Sequence, residues 1–140
     1  MKTKIFCDSA DIKTIKEFNS NSLVDGFTTN PSLMRKAGAK NYKNYSLQLL
    51  NVCKKKPISL EVFADKFDEM TRQANMINSW GKNVYVKIPV VNSKGLFSGA
   101  VINKLSNKGI KLNITAVYTV PQVLKILKNL NKKSKTIISI

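Results

Sequence analysis

The chain has 140 residues, 43% of them hydrophobic and 23% charged, with a net charge of +16, two cysteines and no histidine. That length and composition describe one globular domain able to bury a core, and no run approaches the ~20 apolar residues of a membrane span. The missing histidine removes histidine-based triads and most metal sites, which leaves lysine, carboxylates and hydroxyls for any chemistry.

The opening, Met1 to Asp8, has no long apolar stretch of the kind a secretory signal needs, so a cytoplasmic location is expected. In that setting Cys7 and Cys53 are expected as free thiols. A first strand is predicted over residues 4–8, and a helix over 10–18 with Ile12, Ile15 and Phe18 three apart and Asp11 or Ser9 as its cap. A second strand follows at 26–29. Pro31 after Asn30 then suits the first turn of a helix, and helical periodicity continues over 41–53 with Tyr42, Tyr45, Leu49 and Val52 on one face. Residues 58–63 read as the third strand. A helix over 65–80 with Phe67, Met70, Ala74 and Ile77 follows, closed by Gly81. The fourth strand falls at 84–90, a helix at 96–105 before Gly109, the fifth strand at 111–115, a helix at 120–130 and the sixth strand at 136–140.

Six strands alternating with five helical regions, without a linker or charge block, predict a single α/β domain with a parallel sheet over residues 1–140. A doubly wound sheet and a (β/α)8 barrel both fit this pattern. The absence of GxGxxG and GxxxxGK[ST] from the first βα turn takes support from the dinucleotide and P-loop versions. In a barrel the reactive groups sit at the C-terminal ends of strands. Those ends here offer Asp8, then Thr28, Thr29 and Asn30, then Glu61, Lys87, Asn113 with Thr115, and Ser139.

Each of these has a plain structural use as well. Lys87 stands in the apolar run Val84 to Val90, where desolvation disfavours the ammonium form, and a neutral amine is what attacks a carbonyl. An edge-strand lysine reaching for water reads equally well. Asp8 could cap a helix or exchange a proton with a substrate hydroxyl. Glu61, flanked by apolar residues, is either paired with a cation or placed for acid–base work. Thr115 and Ser139 could position a water or hydroxyl, although threonine is also a good strand former. Asn30 and Asn113 offer amides that serve turns and caps as readily as ligands.

Four segments, in order, are Phe6-Cys7-Asp8-Ser9-Ala10-Asp11, Gly26-Phe27-Thr28-Thr29-Asn30-Pro31-Ser32-Leu33, Val86-Lys87-Ile88-Pro89-Val90 and Leu112-Asn113-Ile114-Thr115-Ala116-Val117-Tyr118. Together they resemble the transaldolase and fructose-6-phosphate aldolase family. The resemblance implies a partial (β/α)8 barrel with about six βα strands, and an enzyme of the pentose phosphate pathway that transfers a dihydroxyacetone unit between sugar phosphates. It implies Lys87 as the Schiff-base lysine, Asp8 as the acid–base residue, and Glu61 with Thr115 as the pair serving a catalytic water. Asn30, Asn113, Ser139 and Thr29 are implied as substrate ligands, and neither metal nor organic cofactor is required. Glutamate at position 61 matches the transaldolase branch, where the aldolase branch carries glutamine.

The resemblance also implies that the eight-unit barrel continues past Ile140, with the phosphate-binding arginine beyond it, because Arg35 and Arg72 do not match that position. The fragment by itself is accordingly expected to be inactive. The rival within the family is a fructose-6-phosphate aldolase. A basic nucleic-acid-binding protein is the rival outside it, opposed by lysines spread over nearly every segment and the absence of RNP-like aromatics. Sugar phosphates are the expected partners, no membrane association is expected, and homo-oligomerisation is left open.

Overall fold

A computed structural model describes residues 3–140; Met1 and Lys2 lie outside the described residues. The elements run β1 (Phe6–Asp8), α1 (Ile12–Asn19), β2 (Gly26–Thr28), α2 (Pro31–Lys36), α3 (Tyr42–Val52), β3 (Ile58–Glu61), α4 (Phe67–Asn78), β4 (Val84–Pro89), α5 (Gly99–Asn107), β5 (Leu112–Thr115), α6 (Val120–Asn129) and β6 (Thr136–Ile138). The strands are hydrogen-bonded in chain order with no switch point, the topology of a (β/α)8 barrel wall rather than of a doubly wound sheet. The fold class is therefore a partial α/β barrel of six strands. The chain forms two compact units, one of residues 1–61 with 80–84 and one of 62–79 with 85–140.

In the first unit β1 and β2 run parallel with Phe6 opposite Gly26 and Asp8 opposite Thr28, and β2 pairs β3 with Phe27 opposite Ile58. Ile15, Phe27, Met34, Leu49, Ile58 and Leu60 are fully buried and form its core. A side chain at Gly26 would meet the Phe6 ring at 2.6 Å and Pro57 at 2.7 Å, so only glycine lets these strands close. Each helix start is capped by the side chain before it. Asp11 accepts from Thr14 N–H, Asn30 from Leu33 N–H and Asn41 from Asn44 N–H.

In the second unit β4 pairs β5 and β5 pairs β6, again parallel, with Lys87 opposite Asn113 and Asn113 opposite Ile137. Met70, Ala74 and Ile77 of α4 and Ile102 and Leu105 of α5 are buried with Val86, Ile88, Leu112 and Ile114. On α6, a capping box between Thr119 and Gln122 fixes the start and Ile126 points inward.

Three local expectations change. The helical stretch after Pro31 is two helices, because Gly38 at φ 91° ends α2. Its N–H bonds Arg35 O and the Ala39 N–H bonds Met34 O, a Schellman arrangement that turns the chain before Asn41 restarts it. The helix expected from Leu96 begins at Gly99 instead. The Asn92 side chain accepts from the N–H groups of Lys94 and Leu96, and Val91 bridges Phe97, so this stretch is held as a loop. Gly81 does not adopt a left-handed φ. A side chain there would meet Leu50 and the Asn83 amide oxygen at 3.3 Å, so its role is close packing. Gly109, at φ 75°, does close α5, with its N–H on Ser106 O and the Ile110 N–H on Leu105 O.

Candidate active site

In each of the two units, residues singled out from the sequence stand at or near the C-terminal ends of the strands. In the first unit, β1 and β2 end side by side, and the Thr28 hydroxyl donates to Asp8 Oδ1 at 2.8 Å. Asp8 is exposed, so its carboxylate is open to a ligand while one oxygen is held. Thr29 is fully buried and its hydroxyl donates to Ser59 O at 2.8 Å, which ties the end of β2 to β3. Asn30 Oδ1 accepts from Leu33 N–H at 2.8 Å, so its amide oxygen is the cap of α2. Cys7, between the partners of this ladder, has its thiol held up from the ordinary range by burial and then by Asp8, which keeps it protonated.

Glu61 is the last residue of β3 and is half-buried. Its N–H donates to the Tyr42 hydroxyl at 2.8 Å, and the same hydroxyl donates to its carbonyl at 2.9 Å. Burial, reinforced by the Glu61 charge and partly offset by the bond to the Glu61 backbone, pushes the Tyr42 phenol far above its usual range. Tyr42 therefore keeps its proton and acts as both donor and acceptor. Nothing in the sequence pattern singled out Tyr42 beyond its place on a helix face.

In the second unit, Lys87 and Asn113 are register partners, as are Pro89 and Thr115. Register partners on parallel strands project from the same face. Val84, Val86 and Ile88 are buried on one face of β4, whereas Tyr85, Lys87 and Pro89 are half-exposed on the other. Lys87 thus shares one face with Asn113 and Thr115, two residues before β4 and β5 end at the Pro89–Thr115 pair. Asn113 is fully buried, and Ser139 Oγ donates to its Oδ1 at 2.7 Å. That bond fixes the amide orientation. Lower on the same face, Lys111 Nζ sits 5.7 Å from the centre of the Tyr85 ring.

Ala116, directly after Thr115, has φ 58° and is the one non-glycine residue with positive φ among the described residues. A left-handed alanine costs about 1–2 kcal/mol. It turns the chain so that Val117 N–H meets Ser139 O at 3.4 Å beside the Ser139–Asn113 bond. Strain of this kind gathers at functional sites, and no local pattern announces it. By contrast, an open cleft of about 410 Å³ at the N-terminal ends of β5 and β6, lined by Lys111, Lys133 and Lys135 among others, contains none of the predicted site residues. Among the described residues no helix is long and apolar enough to cross a membrane.

The transaldolase/fructose-6-phosphate aldolase family model matches residues 5–140. The chain is 36% identical over 121 residues to a probable transaldolase of Herpetosiphon aurantiacus, covering 86% of this chain and 52% of that protein. It is 38% identical over 125 residues to a probable transaldolase of Streptococcus agalactiae, covering 89% and 55%. A probable transaldolase of Methanococcus maripaludis is 39% identical over 123 residues, covering 86% and 54%. The chain spans about half the length of these curated relatives. With the family's motifs at the ends of its parallel strands and a family match from residue 5 to residue 140, the chain belongs to the transaldolase/fructose-6-phosphate aldolase family.

Proposed function

We propose that the polypeptide carrying this sequence is a transaldolase, moving a dihydroxyacetone unit from a ketose phosphate to an aldose phosphate through a Schiff base on Lys87. The observation that carries this reading is the register of Lys87 with Asn113, whose amide is held by Ser139. An amine placed beside a fixed amide suits attack on a ketone whose neighbouring hydroxyls need orientation.

The Lys87 amine adds to the ketone carbon, and the carbinolamine loses water to give an iminium. Asp8 takes the proton of the C4 hydroxyl as the C3–C4 bond breaks, and the bond's electrons flow into the iminium to leave an enamine. The aldose product departs. An incoming aldehyde then receives the enamine carbon, its oxygen is protonated, and water releases the new ketose from Lys87. Glu61 and Thr115 serve the water that leaves and returns. Asn30, Asn113, Ser139 and Thr29 hold the substrate hydroxyls or the strand ends that present them. The iminium is the electron sink, so the reaction requires no metal or organic cofactor.

Glutamate at position 61 favours this reading over a fructose-6-phosphate aldolase, in which the enamine is simply protonated and released. The family implies sugar phosphates as substrates. Treatment of the full polypeptide with fructose 6-phosphate and borohydride tests the proposal by peptide mass mapping. A substrate-derived adduct on Lys87, lost in Lys87→Ala, is the expected result; an adduct on a different lysine with Lys87 unmodified would overturn it.

A further inference from the structure

The backbone at the end of β3 has a gap that one side chain fills. Along a parallel strand, successive residues turn their N–H and C=O groups to opposite neighbours. On one side Ile58 N–H donates to Asn83 O and Val62 N–H to Lys87 O. On the other, Ser59 O accepts from Thr29 N–H at 3.2 Å. Glu61 faces the same side as Ser59. Yet β2 ends at Thr28, and Asn30 and Pro31 have already turned the chain into α2, so no strand is left to pair with Glu61 on that side.

The Tyr42 hydroxyl occupies this place, accepting from Glu61 N–H at 2.8 Å and donating to Glu61 O at 2.9 Å. Its own position is determined. Tyr42 is the first residue of α3, behind the Asn41 cap, and its ring lies tilted against Trp80 with centroids 6.0 Å apart. One turn on, the Tyr45 hydroxyl anchors the same helix to Ala10 O at 2.9 Å. A helix held at two points thus fixes the backbone of a carboxylate residue at a strand end.

We propose that Tyr42 is a positioning residue for the reaction, acting through the Glu61 backbone to set where the carboxylate meets the water of imine formation and hydrolysis. This rests on the transaldolase reading of Glu61. Removing the hydroxyl frees the last residue of β3 to tilt, and misplacement of a reacting group by an ångström is costly in rate. The effect falls on the steps that lose or gain water. Substrate binding, which Glu61 does not carry in this reading, is spared.

The test is a rapid-quench measurement of imine formation on Lys87, with fructose 6-phosphate and borohydride, in the full polypeptide. Tyr42→Phe is expected to slow imine formation roughly tenfold with KM little changed, each rate being normalised to the Lys87 that finally labels so that partial misfolding is discounted. In a Glu61→Ala background the same substitution is expected to change the rate less than about twofold, because nothing remains to be positioned. Equal slowing in both backgrounds would assign Tyr42 a general structural role and overturn the proposal. So would an unchanged rate in Tyr42→Phe alone. Absence of label on Lys87 even in the unsubstituted protein overturns the transaldolase reading and this proposal with it, whereas normal labelling with equal rates overturns only this one.

Discussion

Ser139 Oγ donates to Asn113 Oδ1 at 2.7 Å, joining the end of the sixth strand to a fully buried amide on the fifth. The bond leaves the Asn113 side chain a single orientation beside Lys87, its register partner. Ser139→Ala removes one hydrogen bond from a buried amide, at a cost of about 0.5–1.5 kcal/mol. Chemical denaturation should show that loss. If Asn113 holds a substrate hydroxyl, KM for the ketose phosphate rises as well, and Ser139→Thr, which keeps a hydroxyl, restores part of both.

Glu61 offers a test of which branch of the family the chain follows. A carboxylate can take and return protons to a nearby water, whereas an amide only holds it in place. Glu61→Gln is expected to raise the ratio of free aldol cleavage to dihydroxyacetone transfer, measured by product analysis with and without an acceptor aldose. An unchanged ratio would mean that residue 61 does not set the partition.

Asp65 makes a pH-sensitive clamp between two loops. Ser93 N–H donates to its Oδ1 at 2.6 Å and the Ser93 hydroxyl to its Oδ2 at 2.8 Å. These two bonds, the backbone one first, hold the Asp65 carboxyl below its ordinary value of 3.8. A depressed folded-state value means that the clamp contributes fully above that ordinary value and is lost as the pH falls through the lower, folded-state one. Amide exchange at Ser93 should therefore be slow and flat above pH 4 after correction for intrinsic rates, and should quicken in more acid solution. Asp65→Asn removes the pH dependence and leaves the loop exchanging faster throughout.

Three glycines separate close packing from backbone need. Gly38 and Gly109 have φ 91° and 75° with nothing within 4 Å of an added side chain. Alanine there costs only the left-handed strain, about 1 kcal/mol each by denaturation. Gly26→Ala forces a methyl against Phe6 and Pro57 at 2.6 and 2.7 Å in the β1–β2 ladder. Overpacking of that kind costs about 1–3 kcal/mol or more, and a variant as stable as Gly38→Ala would contradict the packing described.

The order of elements was legible in the amino-acid sequence because its signals are local. Apolar runs of strand length alternate with helical periodicity, Asp11 and Asn30 stand where caps belong, and Gly109 stands where a helix ends. The candidate residues at the strand ends were legible for the same reason, since a polar side chain closing an apolar run is visible in one dimension. Gly38 could have announced the break between α2 and α3, but a lone glycine in a periodic stretch looks the same whether it packs, like Gly81, or turns the chain. Only the folded chain decided which strand faces which and in what register. That settled that Lys87 lies opposite Asn113, that the Thr29 hydroxyl is spent on Ser59, and that Tyr42 stands in for a missing strand at Glu61. Those are bonds between residues 19 to 30 positions apart, and their geometry depends on backbone direction and on where a neighbouring strand stops, which no local pattern encodes.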